Sequence, residues 1–505
     1  MLILPMLLPP PRSPRHTVRD FCTVTVKQHG RTTCYNCEKN IDLLTFLQRT
    51  GHLVVAPCGG NGKCGKCVVN VTSGECAVTG SGKVRACRSI VKEDITVDLD
   101  EAEGKGIEKF FSGISTDKTG IAVDVGTTTI AAAYCDGKNI RYASCLNSQS
   151  VFGSDVISRI RACSDVRNLE KMRNAVTNDI NGLIRSLTGC DSAVENGVIA
   201  ANTTMLHILC GVSPVSMGVA PFKPTFLDAK IVTDSKLLIK KATLVCGISA
   251  YVGADVAAGL VATDMLGDSG VKVLMDIGTN GEVVVNNNGV LWCASTAAGP
   301  AFEGACSCGM GGVDGAISRI GFDGRLNIQT INGTAAKGLC GSGLTDAIAL
   351  LIENGGIDES GAFCNGKRPF WEKSDFNDRA YITCDVYVSQ KDIRQFQLAK
   401  SALCSGVTVL LKKAGASLDD VDRLYIAGGL GYYTDISNAS IAGVIPRQLK
   451  DKAIAVGNSS LQGAIRILDD RSLLDVLKEK TSKCNVVELS DDADFAETYI
   501  ENLSF

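Results

Sequence analysis

Apolar and polar positions alternate with a period of two along Phe21–Val26 and again along Ile95–Leu99, a pattern that predicts half-buried strands. Gly-containing turns separate such segments throughout residues 17–100, so this stretch reads as a first, strand-rich domain. Beyond Gly120 the pattern changes. Short continuous apolar runs at Ile121–Val125, Val271–Ile277 and Arg423–Ala427 predict strands covered on both faces, and apolar residues at helical spacing in Gly153–Cys163 and Asp392–Lys413 predict helices between them. Such alternation predicts α/β architecture over residues 120–505. The charged, Gly-containing residues 101–119 suit a linker. Residues 1–16 carry Pro5, Pro9, Pro10 and Pro11 but neither a basic start nor a small-residue cleavage pattern, and are expected to be a disordered extension rather than a signal peptide.

Composition narrows the class. A chain of 505 residues with 45% hydrophobic and 21% charged content has material for two or three globular domains. No run of about 18 apolar residues is present, so no membrane span is expected. A net charge of −3 supplies no broad attraction to phosphate backbones or anionic lipid, which disfavours nucleic acid and membrane as partners. Twenty-two cysteines without a secretory signal point to a reducing, cytoplasmic setting, where unusual cysteine spacing more often means metal than disulfide.

The densest cysteine spacing is APCGGNGKCGKCVV, in which Cys58, Cys64 and Cys67 stand as C-x5-C-x2-C; Cys87 follows after nineteen residues. Three thiolates on one loop and a fourth arriving from elsewhere resemble the plant-type [2Fe–2S] arrangement. Gly59, Gly60, Gly62 and Gly65 let such a loop wrap an inorganic core and turn backbone N–H groups toward its sulfurs. A structural zinc site and plain buried thiols are the alternatives, and Cys76 competes with Cys87 for the fourth position. Cys34 with Cys37 and Cys306 with Cys308 are read as ordinary thiols.

Three further motifs carry nucleotide chemistry. In IAVDVGTTTIAAAY a strand runs into a turn where Gly126 allows close approach of a phosphate, Thr127, Thr128 and Thr129 supply donors, and Asp124 can hold Mg2+ through water. LMDIGTNGEVVV repeats the logic with Asp276, Gly278, Thr279, Asn280 and Gly281, and LYIAGGLGYY ends a strand in Gly428 and Gly429, bare backbone on which an adenosine lies flat. The three motifs are spaced 152 residues apart, 124 to 276 to 428, as expected if two lobes grip a triphosphate. This resembles the acetate and sugar kinase, Hsp70 and actin (ASKHA, ribonuclease H-like) superfamily; no Walker A loop is present.

A plant-type [2Fe–2S] domain joined to such an ATPase resembles the reductive activators of corrinoid proteins. The phrases NSQSVFGSDVISRI, ANTTMLHILCG, YVGADVAAG, STAAGPAFEGA, GLCGSGLTD, QKDIRQFQLAK and VGNSSLQGA extend the likeness over nearly the whole chain after residue 17. The resemblance implies an N-terminal β-grasp ferredoxin-like domain, a two-lobed ATPase, and one-electron return of a corrinoid methyl carrier from Co(II) to Co(I) with ATP and Mg2+. It also implies an electron donor such as ferredoxin or flavodoxin, and a homodimer. Ser295, Asp276 and Glu282 are the expected catalytic residues, Ser295 as an oxygen contact at cobalt; Asp255 and Glu303 are further acidic candidates. Some relatives interpose a middle domain, for which the short stretch between Asp100 and Ile121 leaves no room. Rival readings are an activator of a radical 2-hydroxyacyl-CoA dehydratase, a small-molecule kinase and a ferredoxin-like binding module without enzymatic activity.

Overall fold

The computed structural model describes residues 21–28, 31–50, 52, 54, 67–99, 116–137, 139–278, 280–303, 306–312, 315–364 and 379–505. Cys58, Cys64, Thr279, the extension 1–16 and most of the linker lie outside these residues. The chain divides into two compact units, Met1–Leu99 and Asp100–Phe505.

The first unit is a mixed five-stranded sheet in the order Arg31–Glu38, Phe21–Gln28, Ile95–Asp98, Val68–Cys76, Gly80–Arg85. Alternation works here as expected: Cys22, Val24 and Val26 of the first strand and Ile95 and Val97 of the central one turn inward. They meet Leu43, Leu44, Phe46 and Leu47 of the helix Leu43–Arg49, and together with Val69, Val71 and Val84 close a core drawn entirely from this unit.

The second unit contains two lobes of the same plan. In the first, Thr119–Val125 pairs antiparallel with Thr129–Asp136, which pairs antiparallel with Ile140–Leu146. On its other side the same strand pairs parallel with Val194–Ala201, and that with Ile239–Leu244. The second lobe repeats this: Val271–Ile277, Gly281–Asn287 and Val290–Thr296 are antiparallel, and Val421–Ala427 and Ala453–Gly457 add in parallel. The echo between the two Asp-Gly-Thr turns is therefore a repeat of topology. Each opening strand is flanked on both sides and has few polar positions because both faces are covered, as its apolar run predicts.

Two helices join the lobes. Ala254–Ala262 and Ser459–Asp469 cross so closely that a Cβ on Gly463 would overlap the Ala258 carbonyl, and one on Gly259 would stand 2.8 Å from Ser459 Oγ. Although Ser459–Asp469 follows the last parallel strand of the second lobe, its Leu461, Ala464, Ile465 and Leu468 belong to the first lobe's core. The expected helix over Gly153–Cys163 begins late, at Val156, because the Asp155 carboxylate accepts from Ser158 N at 2.8 Å and caps it there. The expected helix from Asp392 begins early, at Gln390, capped by Ser389 in a capping box with Asp392.

Candidate nucleotide cleft and cysteine cluster

Asp124 sits at the end of the first lobe's opening strand, and Asp276 at the matching place in the second. Asp124 pairs in register with Ala131 and Ala200; Asp276 pairs with Glu282 and Ala427. The turns that follow are closed alike, Gly126 N donating to Thr129 O and Gly278 N to Asn280 O, each at 3.0 Å. A series of contacts also links the two aspartates. Asp276 Oδ1 lies against Gly428, where φ is +81° and a Cβ would overlap both that oxygen and the Ile277 carbonyl. Gly428 N donates to Gly457 O at 3.1 Å. The next residue, Asn458, donates from Nδ2 to Asp124 Oδ2 at 2.7 Å, and Ser460 Oγ donates to Asp124 Oδ1 at 2.7 Å.

A second carboxylate faces Asp124. Asp255 opens the helix Ala254–Ala262 and accepts from Val256 N at 2.9 Å. Burial pushes its carboxyl up to about 7, with the charge of Asp124 adding to the effect and the Val256 N–H opposing it. Asp124 is also raised by burial, against the pull of Ser460 and Asn458. Two carboxylates in this condition are drawn back to the charged form by a divalent cation. Gly253 permits the approach: a Cβ there would stand 2.6 Å from Asn202 Cα and 2.7 Å from Asp255 Oδ1. Asn202 in turn donates from Nδ2 to Thr127 Oγ1 at 3.1 Å.

In the second lobe the strand register sets Ala427, Asp276, Glu282 and Ser295 side by side in one row across four strands. The three expected catalytic residues are thus immediate neighbours on one sheet face, and each is partly exposed. Gly429 has open space where a Cβ would project, as a surface for a flat ring requires. Gly281 is different. A Cβ there would strike Leu403 of the long helix and Thr296 Oγ1, so its bareness serves packing of helix Gln390–Lys413 against the sheet. Thr129 is the first residue of the second strand as well as the last of the turn. The loop beyond Ser295 is held by Phe302, edge-on to Phe396 at 5.3 Å, and by Asp392, which accepts from Ser307 N at 2.8 Å and Ser307 Oγ at 3.0 Å.

In the first unit, Cys67 precedes strand Val68–Cys76 and Cys87 follows strand Gly80–Arg85. Val68 pairs with Arg85, and Ala86 N donates to Cys67 O at 2.7 Å, so the hairpin brings Cys67 and Cys87 to one end. Cys76 pairs with Gly80 past a bulge, and the next residue, Ala77, exchanges backbone hydrogen bonds with Ile90, so Cys76 is folded back toward the segment that follows Cys87. It is buried, and burial pushes its thiol up to about 11. The loop carrying Cys58 and Cys64 lies outside the described residues, among which no group of three His, Cys, Asp or Glu side chains is placed to hold a metal ion. No helix of the described residues is long and apolar enough to cross a membrane.

Asn202, Asn458 and Ser460 have no assigned role in the sequence reading, although they stand in two quoted phrases, ANTTMLHILCG and VGNSSLQGA. Their signal was the N-cap pattern, Asn before a helix: Asn202 caps Thr203–Leu209 and Asn458 caps Ser459–Asp469. Each uses its carbonyl oxygen for the cap and its amide for the site.

Comparison with known proteins gives the family. The family model for the C-terminal, ASKHA domain of RACo matches residues 270–505, and that for the RACo middle region matches 119–268. The middle region thus falls on the first lobe, which corrects the expectation that this chain has no room for it: the region is the lobe itself. The chain is 33% identical over 426 residues, 76% of its length and 70% of the relative's, to the corrinoid activation enzyme RamQ of Eubacterium limosum. It is 26% identical over 286 residues, 51% of each chain, to the [Co(II) methylated amine-specific corrinoid protein] reductase of Methanosarcina barkeri. A solved reductive activator for corrinoid, iron–sulfur protein superposes with a TM-score of 0.70 at 26% identity, covering 96% of this chain and 98% of that one.

Proposed function

Since the chain belongs to the RACo family of reductive activators of corrinoid proteins, we propose that it uses Mg-ATP to return one electron to the cobalt of a corrinoid methyl-carrier protein, taking Co(II) to Co(I). The observation that carries the ATP part is the pairing of Asp124 and Asp276 at matching ends of two like lobes, joined through Gly428, Gly457 and Asn458. In this reading the turn Gly126–Thr129 holds phosphates, Asp124 and Asp255 hold Mg2+, the turn Gly278–Gly281 faces the phosphates from the second lobe, and Gly428 and Gly429 underlie the adenosine.

The cysteines suit the second part. Cys67 and Cys87 converge at one hairpin end, and with Cys58 and Cys64 would hold a [2Fe–2S] cluster, which when bound supplies a one-electron donor at about −400 mV. Reduction of a corrinoid to Co(I) is expected to be harder than that. Each ~59 mV uphill costs a factor of ten, or roughly 1.4 kcal/mol. The protein's part is to narrow this gap: it docks the Co(II) carrier, weakens an axial cobalt ligand, and lets ATP reset or release the complex. Ser295, at the partly exposed end of its strand beside Glu282, would be the oxygen that contacts cobalt. A ferredoxin or flavodoxin feeds the chain, which works as a cytoplasmic homodimer.

The test is anaerobic. Reduced protein is mixed with a Co(II) corrinoid carrier, with and without Mg-ATP, and Co(I) is followed in the visible spectrum. ATP-dependent Co(I) formation that is lost in Cys64→Ser and slowed in Ser295→Ala is expected. Cluster reduction without cobalt reduction by any carrier would instead make the chain an ATP-driven donor to another enzyme.

A further inference from the structure

Behind the first nucleotide turn lies a segment, Asn147–Arg159, that the proposed function leaves without a role. Asn147 and Arg159 are fully buried. Asn147 Nδ2 donates to Gly126 O at 2.8 Å, Arg159 Nη2 donates to Thr127 O at 2.6 Å, and Asn147 N donates to Thr128 O at 2.9 Å. Three successive carbonyls of the turn are therefore drawn to one segment. In a trans peptide the C=O and the next N–H point in opposite directions. With the carbonyls of 126, 127 and 128 turned back, the N–H groups of Thr127, Thr128 and Thr129 turn away from that segment. Successive amides aimed one way form an anion-binding concavity.

Both side chains are locked from elsewhere. Asn147 Oδ1 accepts from Gln149 N at 3.0 Å; Arg159 donates from Nε to Gly153 O at 2.9 Å and from Nη1 to Gln149 Oε1 at 3.2 Å. Gln149 Nε2 is itself held by Met172 O at 3.1 Å on the long helix Val166–Thr188. A buried guanidinium is costly to place, and here it is one hydrogen bond from the turn that would carry phosphate.

We infer that Arg159 and Asn147 are positioning residues that set the amide polarity of the Gly126–Thr129 turn, and so determine affinity for the phosphates of the nucleotide rather than for its base. This rests on the ATP reading above. The test uses the full chain and titrates Mg-ATP and adenosine separately by calorimetry, with thermal melting as a folding check, for wild type, Arg159→Met, Arg159→Lys and Asn147→Asp. Leaving a buried carbonyl without its charged donor is expected to weaken Mg-ATP about tenfold to a hundredfold in Arg159→Met, with adenosine unchanged and partial recovery in Arg159→Lys. Asn147→Asp keeps the side-chain volume and the cap acceptor but removes the donor, and so reports on the turn if Arg159→Met fails to fold. Equal weakening of Mg-ATP and adenosine, or folded variants that bind Mg-ATP like wild type, would overturn the inference while leaving the ATP reading in place. A wild-type chain that binds no Mg-ATP would remove the ATP reading itself, and this inference with it.

Discussion

A carboxyl held at about 7 makes Asp255 a pH-sensitive group of the site. Its ordinary value is 3.8, so the folded chain keeps a proton there that the unfolded chain has already released. The stability this contributes is full below the ordinary value and is lost as pH rises through about 7. Mg2+ acts in the opposite sense, because it needs the carboxylate. Affinity for Mg2+ should therefore rise with pH, by up to about tenfold per unit below 7, and level off above it. Titrating Mg2+ against Asp255→Asn should show a flatter profile; a wild-type profile that is already flat from about pH 6 to about pH 8 would sink the assignment. Burial makes a second prediction among the thiols, since Cys76 is packed in the first unit's core and Cys87 is partly exposed. Cys87→Ser should abolish the visible absorbance and the reduced-state resonance of the cluster, whereas Cys76→Ser should keep both and cost about 1–3 kcal/mol for a buried hydroxyl. At this scale the Asp-Gly-Thr turns were legible because their chemistry is local, while the Asn458 and Ser460 bonds to Asp124 span more than 330 residues and leave no spacing to read.

Among elements, the crossing of Ala254–Ala262 with Ser459–Asp469 has little tolerance. Any Cβ at Gly463 meets backbone, which cannot rotate away as a side chain can. Gly463→Ala should lower stability by about 1–3 kcal/mol in chemical denaturation and weaken Mg-ATP, since Asn458 and Ser460 lie at the start of the same helix. The long helix Gln390–Lys413 was visible from its periodicity, but its start was decided by Ser389, whose hydroxyl and backbone are bonded to Asp392. Asp392 has a further task in holding Ser307 of the loop beyond Ser295. Asp392→Ala should cost about 1–2 kcal/mol through the lost cap, and slow cobalt reduction by more than the loss of folded protein explains. Gly281 shows that a glycine beside a phosphate-type turn can also have a packing reason to be bare: the side chain it excludes would have met Leu403.

For the molecule as a whole, the two compact units have separate hydrophobic cores: that of the first is built from residues between Cys22 and Val97, and those of the second begin at Ile121. Unfolding should accordingly occur in two calorimetric transitions, and Mg-ATP should raise only that of the second unit, by mass action on the folded state. A single transition raised as one by nucleotide would show the units to be energetically coupled. By itself the sequence determined what depends on neighbours along the chain: the α/β alternation after Gly120, the repeat of Asp-Gly-Thr turns, the cysteine spacing and the family resemblance these support. Only the tertiary structure decided which distant groups meet: Asp255 against Asp124, Ser295 in one row with Glu282 and Asp276, and the turn carbonyls against Asn147 and Arg159. The physical reason is that periodicity reports which face of an element avoids water, whereas strand order and helix crossing decide what that face is packed against.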